Sequence, residues 1–219
     1  RLVRMPAGLD GNPRPIRTFE RDAVLSSIAD RVCSIDRHRV LVGIDGRCLG
    51  WRARAVDTVL LGDGGAEQDP EQMWSAVCGA ARDVMDECGH PSLCAIAVTS
   101  QYMSTVPVAA DGRPTGPCIL WMDGRGAAHA GSLLNDESFM LFVERHGLFP
   151  LPSGHDGVSH ISVLRDLHPH SYAAATAFVE PMDYLTARLT DRVTATQSTM
   201  FSQLVCDNSR WGLTEYDDD

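Results

Sequence analysis

Lysine is missing from this sequence, whose 19 basic residues are all arginine. A P-loop needs a lysine to reach the phosphates of its nucleotide, and a Schiff-base enzyme needs one as its nucleophile. Both mechanisms are therefore excluded for the 219 residues.

Three further features are also absent. The seven cysteines form no C-x-x-C pair, no apolar run approaches the ~20 residues of a membrane span, and no G-x-G-x-x-G follows a candidate strand. The net charge is −10 and no basic stripe offsets it, so the surface would repel a nucleic-acid backbone. We expect a reduced, cytoplasmic protein that binds neither nucleic acid nor a membrane.

The remaining pattern alternates short apolar runs with helical segments, which predicts an α/β domain. The clearest helix begins at Asp69, an N-cap followed by Pro70 and by Gln72 at capping-box spacing, and it ends at Gly89. Helical patterns dominate after Trp121, with a further short strand predicted at Val193–Thr196. The predicted buried strands of the first half are Arg39–Asp45, Leu93–Thr99, Thr105–Ala110 and Cys118–Trp121.

Two segments fit this pattern poorly. Residues 1–38 are rich in Arg, Pro and Asp, and we interpret them as an N-terminal extension of unknown role in which only Ala23–Val32 has a helical pattern. Residues 46–66 have weak patterning, with short strands at most at Ala53–Val56 and Thr58–Leu61. The domain itself is predicted to occupy residues 39–219, and the termini at Arg1 and Asp219 suggest a fragment.

Asp45 ends the first buried strand and precedes a glycine. Ligands of α/β sheets bind at the carboxyl ends of strands, where a carboxylate can hold Mg²⁺ directly or through water. The alternative is an aspartate that begins a turn, and the sequence leaves both interpretations open.

Polar side chains also follow two later strands. Gln101, Tyr102, Met103 and Ser104 follow the second strand, whereas Trp121, Asp123 and Arg125 follow the fourth. Sugars are bound by such sets, because polar groups take the hydroxyls and an aromatic face takes the C–H side. The alternative is a surface turn with an Asp–Arg pair. His155, His160, His168 and His170 fit no metal-ligand spacing, and we interpret them as loop and surface residues.

Four segments resemble, in the correct order, the FGGY family of carbohydrate kinases. The second segment is similar to the family's strand, glutamine loop and W-x-D-x-R stretch, the third to its sugar-site loop and the fourth to its D-Y-L-x-x-x-L-T-G region. They are EQDPEQMWSAV (Glu67–Val77), AIAVTSQYMSTVPVAADGRPTGPCILWMDGR (Ala95–Arg125), GLFPLPSGHDGVSHISVLRDLHP (Gly147–Pro169) and VEPMDYLTARLTDRVTATQSTMFSQLVCD (Val179–Asp207).

The resemblance implies an actin-like ATPase (ribonuclease H-like) fold, with a mixed β-sheet flanked by helices. It also implies xylulokinase-like transfer of phosphate from ATP, with Mg²⁺, to a hydroxyl of a sugar or polyol. It assigns Asp45 and Arg52 to the nucleotide-phosphate motif, Gln101 with Tyr102 and Met103 to the substrate loop, and Trp121, Asp123 and Arg125 to W-x-D-x-R.

The general-base aspartate and the C-terminal lobe would lie beyond Asp219, so we expect the fragment alone to be inactive. The identity of the sugar stays open, and so does the oligomeric state, for which a homodimer is one option.

The resemblance has three departures. Arg47 and Cys48 stand where the phosphate motif has Gly and Thr. Tyr102-Met103 replaces the Met-His that sugar-type members such as xylulokinases often show, and Thr190-Asp191 replaces the family's T-G. A damaged or misread segment would explain the first departure, so residues 46–66 are expected to be irregular and not to cradle ATP. The alternative function is therefore a truncated or degenerate relic of a sugar kinase that catalyses nothing.

Overall fold

The computed structural model describes residues 23–26 and 36–209. The strands are β1 (Ala23–Ser26), β2 (Asp36–Gly43), β3 (Cys48–Ala55), β4 (Val59–Leu60), β5 (Ala66–Gln68), β6 (Leu93–Ala97), β7 (Val106–Val108), β8 (Cys118–Ile119) and β9 (Ala177–Val179). The helices are α1 (Pro70–Glu87), α2 (Ala127–Leu133), α3 (Asp136–His146), α4 (Gly157–Leu167), α5 (Pro169–Ala174), α6 (Pro181–Thr190) and α7 (Gln197–Gln203). None of these helices is long and apolar enough to cross a membrane.

The largest sheet has the strand order β3-β2-β1-β6. β1 lies antiparallel to β2 and parallel to β6, and β2 forms an antiparallel hairpin with β3. α1 packs across the β2–β3 hairpin, where Leu41 of β2 and Val84 of α1 are both fully buried. The strands predicted at Arg39–Asp45 and Leu93–Thr99 therefore lie in one sheet, and the first long helix packs against it.

The ends of α1 follow the predicted local chemistry with one difference. The Asp69 carboxylate accepts a hydrogen bond from the Glu71 amide at 2.9 Å, and Gly89 leaves the helix with φ +73°. Gln72 does not complete a capping box. Its side-chain amide instead pairs with Asp57 at 2.8 Å and ties the helix to the segment after β3.

The other strands form two smaller sheets, β4-β5-β8 and β7-β9. They enclose the main core together with α1 and α6. Its largest members are Met73, Leu120, Tyr184 and Leu185, each at most 1% exposed.

Three predicted elements are wrong. Ala23–Ser26 is a strand in the centre of the large sheet, not a helix, and residues 27–32 of that prediction lie outside the described residues. Residues 46–66 are not irregular, because Cys48–Ala55 forms an eight-residue strand in register with β2. Val193–Thr196 contains no strand, and Thr196 instead caps α7 in a two-sided capping box with Thr199.

Candidate functional site

Two of the predicted loops, Gln101–Ser104 and Trp121–Arg125, lie side by side, and we call the surface that they form the rim. The Ser104 hydroxyl, fully buried, accepts a hydrogen bond from the Trp121 amide at 3.1 Å. Directly behind it, Thr105 and Ile119 exchange backbone hydrogen bonds at 2.8 and 2.9 Å. The Gln101–Ser104 loop and the Trp121–Arg125 turn are therefore held side by side.

A third loop, residues 153–157, packs against the same turn. A Cβ added to Gly154, where φ is +71°, would lie 2.0 Å from the Ala127 nitrogen, so only glycine permits this approach. Asp156 stabilises the loop because its carboxylate accepts hydrogen bonds from the Leu151 amide at 2.6 Å and the Ser159 amide at 3.0 Å. The loop of the third resembling segment therefore lies beside Trp121–Arg125.

Gln101 and Trp121 present side chains suited to a polar ligand with a C–H face. Both side chains are half-buried, and no described residue lies within hydrogen-bond distance of the buried Gln101 Nε2. Tyr102 is half exposed, and burial is the main reason its pKa is raised. Met103 takes a left-handed backbone conformation, with φ +57°.

Asp123 and Arg125 differ from Gln101 and Trp121 because their side chains are almost fully buried. Asp123 accepts hydrogen bonds from the Ala66 amide at 2.9 Å and from Arg125 Nη2 at 2.6 Å, and Arg125 also contacts Glu67 at 2.7 Å. Burial alone would raise the pKa of Asp123, but the hydrogen bonds from Arg125 and the Ala66 amide outweigh it and lower the pKa. His168 extends the network to Glu67 at 3.1 Å. These contacts brace the Trp121 turn against β5.

The sequence interpretation missed Glu180, which lies behind the substrate loop. Its Oε1 accepts hydrogen bonds from the Met103 amide at 2.9 Å and from the Ser202 hydroxyl. Burial raises the pKa of Glu180 to about 7 in spite of these bonds. A carboxylate that directly follows an apolar strand was the signal used for Asp45, and it also marks Glu180 after β9.

His160 is not the loop or surface residue that we expected, since it is fully buried on α4. Its Nδ1 lies 3.3 Å from the Thr105 hydroxyl, and within the described chain its Nε2 has no hydrogen-bond partner. Burial lowers its pKa to about 4, so the ring is neutral at physiological pH.

Asp45 does not lie at this rim. Ala23 of β1 pairs with Gly43 and Leu93, whereas Ser26 pairs with Val40 and Ala97. The carboxyl end of the antiparallel strand β2 therefore lies where β6 begins, about 13 Å of strand away from where β6 ends and leads to Gln101. Asp45 and the Gln101 loop therefore lie at opposite ends of the large sheet, and the assignment of Asp45 to the phosphate motif stays a prediction.

The residues around Asp45 form the turn of the β2–β3 hairpin. The Asp45 carboxylate accepts the Arg47 amide at 3.0 Å, and Gly46 supplies the left-handed conformation with φ +83°. Arg52 points to the end of α1, where it pairs with Glu87. Arg47 and Cys48 are hairpin residues, so they give no sign of a damaged phosphate loop.

The surroundings of Asp45 bear on the predicted magnesium site. Its carboxylate is exposed and contacts the backbone and side chain of Arg47. Throughout residues 36–209 no three His, Cys, Asp or Glu side chains are grouped so that they could hold a metal ion. Mg²⁺ is usually held by one or two carboxylates together with substrate phosphates, so the magnesium assignment of Asp45 stays a prediction.

Comparison with known proteins identifies the class to which this fold and rim belong. Residues 39–216 match the model of the FGGY family of carbohydrate kinases, N-terminal domain. The chain is 31% identical over 172 residues to the xylulose kinase of Streptomyces rubiginosus, a match that covers 71% of this chain and 34% of that protein. It is also 33% identical over 84 residues to the glycerol kinase of Alteromonas mediterranea, covering 37% of this chain and 17% of that protein.

The chain belongs to the FGGY family of carbohydrate kinases. It spans about a third of the length of the xylulose kinases that it matches. Solved structures agree on the fold, since ligand-bound xylulose kinase from Lactobacillus acidophilus has a TM-score of 0.74 at 16% identity and covers 90% of this chain and 38% of that chain. Plasmodium falciparum glycerol kinase with ADP has a TM-score of 0.75 at 14% identity, covering 90% and 40%. The predicted actin-like ATPase fold is confirmed.

Proposed function

We propose that this chain supplies the substrate-binding part of a kinase that phosphorylates a hydroxyl of a sugar or polyol, with ATP as donor. The observation that carries the proposal is the Ser104–Trp121 hydrogen bond, which sets the Gln101 loop beside the Trp121 turn. The buried Gln101 Nε2 offers a donor to a hydroxyl, and the half-buried Trp121 offers a face to C–H groups.

The braced pair Asp123–Arg125 has a supporting role in this proposal. Asp123 is fully buried and uses both oxygens on Ala66 and Arg125, so a sugar hydroxyl would have to displace an existing bond. We therefore assign the pair to holding the Trp121 turn, and the direct contacts to Gln101 and Trp121. Tyr102 and Met103 line the outer part of the same loop.

Residues 39–219 are proposed to be the larger part of an N-terminal lobe. β1 lies in the same sheet, so at least residues 23–26 of the proposed extension contribute to this lobe. ATP and Mg²⁺ remain part of the proposal through the family, and the assignment of Asp45 and Arg52 to the nucleotide phosphates stays a prediction. The general base would be supplied from outside the described residues.

Calorimetric titration of the chain with a panel of ketoses and polyols, including xylulose and glycerol, tests the proposal. We expect one of them to bind, and we expect Gln101→Ala and Trp121→Ala to weaken that binding about tenfold each, the loss expected for one hydrogen bond or one stacking contact. Asp45→Ala is the matched control, because it changes an exposed carboxylate at the other edge of the sheet.

The binding site and the activity of the isolated chain are tested by separate outcomes. If no compound binds, or if Asp45→Ala weakens binding as much as Gln101→Ala, the proposed site is wrong. A coupled assay of ADP release then tests catalysis, and we expect no sugar-dependent turnover by this chain alone because a phosphoryl-transfer site needs its base and nucleotide clamp together. Turnover above the enzyme-free control would contradict that expectation.

A further inference from the structure

Glu180 is a buried carboxylate that its own helix does not use. It occupies the N-cap position of α6, directly after β9, yet its side chain makes no capping hydrogen bond. The residue is only 1% exposed. A carboxylate is rarely buried to this degree without partners, so its role must be found in the segments that it contacts.

Those segments are the substrate loop and α7. One carboxylate oxygen, Oε1, accepts from the Met103 amide at 2.9 Å, from the Ser202 hydroxyl and, at 3.5 Å, from Gln203 Nε2. The Ser104 amide also donates to this carboxylate. Two successive amides of the loop therefore converge on one side chain.

Gln203 fastens the next part of the same loop. Its Nε2 donates to the Ser104 carbonyl at 3.3 Å, and its Oε1 accepts from the Thr105 hydroxyl at 3.2 Å. We call Glu180, Ser202 and Gln203 the loop clamp. It reaches three consecutive residues, Met103 to Thr105, of which Ser104 is the residue bonded to the Trp121 amide.

The backbone at Met103 explains why a clamp is required. Its φ of +57° lies in the left-handed region, which a side chain with a Cβ disfavours. This conformation turns the chain between Gln101 and Ser104, so it sets where the Gln101 amide lies relative to Trp121. Without an acceptor for the Met103 amide, no contact of that amide would offset the free-energy cost of the strained conformation.

We propose that Glu180 is a positioning residue, which holds Met103 in its left-handed conformation and thereby aims Gln101 at a sugar or polyol bound beside Trp121. This inference rests on the proposed function of the rim. Glu180 touches no substrate and acts only through the loop.

The charge state of Glu180 makes the proposal predict that sugar affinity depends on pH. Burial raises its pKa to about 7, so the carboxylate changes charge in the neutral range and accepts the loop amides more strongly above it. The titratable groups that face it are Asp183 on α6 and Tyr102 on the loop. Sugar affinity should therefore rise with pH from 6 to 8, approximately following the ionisation of Glu180.

The test combines amide hydrogen exchange at Met103 with sugar affinity in the unaltered chain, Glu180→Leu and Glu180→Gln. In Glu180→Leu we expect the Met103 and Ser104 amides to exchange about tenfold faster and sugar affinity to fall about tenfold, as the loss of a charge-assisted hydrogen bond requires. The Leu41 amide in β2 is the internal control and should not change. Glu180→Gln keeps an acceptor oxygen, so it should restore most of the affinity but remove its dependence on pH.

The loop clamp, the positioning role of Glu180 and the proposed function would each be contradicted by a different result. Unchanged Met103 exchange in Glu180→Leu would overturn the clamp, and faster exchange with unchanged affinity would overturn the positioning role. Failure of the unaltered chain to bind any sugar would count against the proposed function, while the exchange result still decides the clamp. If Glu180→Leu does not fold, Ser202→Ala serves instead: it removes a donor, so it should raise the pH at which affinity changes, and an unmoved pH profile would contradict the proposal.

Discussion

Asp123 and Glu180 are equally buried carboxyl groups whose pKa values move in opposite directions. Arg125 donates several hydrogen bonds to Asp123, and these lower its pKa although burial acts to raise it. Glu180 has only neutral donors, so burial dominates and raises its pKa to about 7. Burial raises the pKa of a carboxyl group that has only neutral donors, and a paired arginine reverses that effect.

Asp191 is a residue in a conformation better suited to glycine. It ends α6 with φ +55°, at the place where the family's T-G motif has its glycine. The Asp191 side chain is exposed, so no buried contact offsets the cost of this conformation. We expect Asp191→Gly to raise the free energy of unfolding by about 1 kcal/mol, measured by urea denaturation.

The matched control for this change is Thr190→Gly, one residue earlier inside the helix. It should lower the free energy of unfolding by roughly 0.5–1 kcal/mol, because glycine is disfavoured within a helix. If both substitutions destabilise the protein, the left-handed conformation at Asp191 is not strained.

At the scale of elements, α1 and α6 are joined by one buried polar contact. The hydroxyl of the fully buried Tyr184 donates to the Pro70 carbonyl at 2.9 Å and accepts from Arg188 at the same distance. Arg188 also contacts Glu71 at 2.5 Å and lies 4.9 Å from the Trp74 ring centre. The first turn of α1 is thus fixed against α6.

We expect Tyr184→Phe to lower the free energy of unfolding by about 1–2 kcal/mol, since it leaves the buried Pro70 carbonyl without its donor. Tyr172→Phe is the control, because Tyr172 is 36% exposed, and it should change stability by less than about 0.5 kcal/mol. Urea denaturation of both variants measures the difference. Equal effects would show that the Tyr184 hydroxyl does not join the two helices.

The β2–β3 hairpin shows why an element can escape sequence interpretation. β3 has six exposed or partly exposed charged and small residues among its eight, and none of its residues is fully buried. Apolar and polar residues alternate along a strand when one of its faces is buried. β3 has no buried face, so its sequence lacks this alternation although its backbone hydrogen bonds to β2 are formed. The exposure of β3 accounts for the weak patterning of Cys48–Ala55.

At the scale of the molecule, buried titratable groups make stability depend on pH in two opposing ways. Glu180 and Asp183 have pKa values raised from 4.5 to about 7 and from 3.8 to about 6, so each costs stability as pH rises through those ranges. His160, with a pKa lowered from 6.5 to about 4, costs stability as pH falls through that range. The whole chain is therefore expected to be most stable in mildly acidic solution.

The contribution of Glu180 can be isolated by difference. The free energy of unfolding of Glu180→Gln, relative to the unaltered chain, should rise by up to about 3 kcal/mol between pH 4 and pH 8, because the amide never ionises. Urea denaturation at a series of pH values measures this. A difference that stays constant with pH would show that Glu180 ionises normally in the folded protein.

The sequence alone determined features that depend on neighbouring residues. The cap and end of α1 at Asp69 and Gly89, the position of the strand Leu93–Ala97 and the loops containing Gln101 and Trp121 follow from local patterns. The predicted burial of Leu93–Ala97 is wrong, because every residue of that strand is exposed. These features hold because capping, turn conformation and apolar periodicity act over a few residues of chain.

Strand direction and long-range partners were decided only by the tertiary structure. Asp45 and Glu180 both follow apolar strands, and no local pattern distinguishes them. β2 is antiparallel to β6, which carries Asp45 to the far edge of the sheet, whereas Glu180 follows β9 to the Met103 amide, 77 residues away in sequence. Which edge a residue reaches depends on how distant strands pair, and that pairing is a property of the whole folded chain.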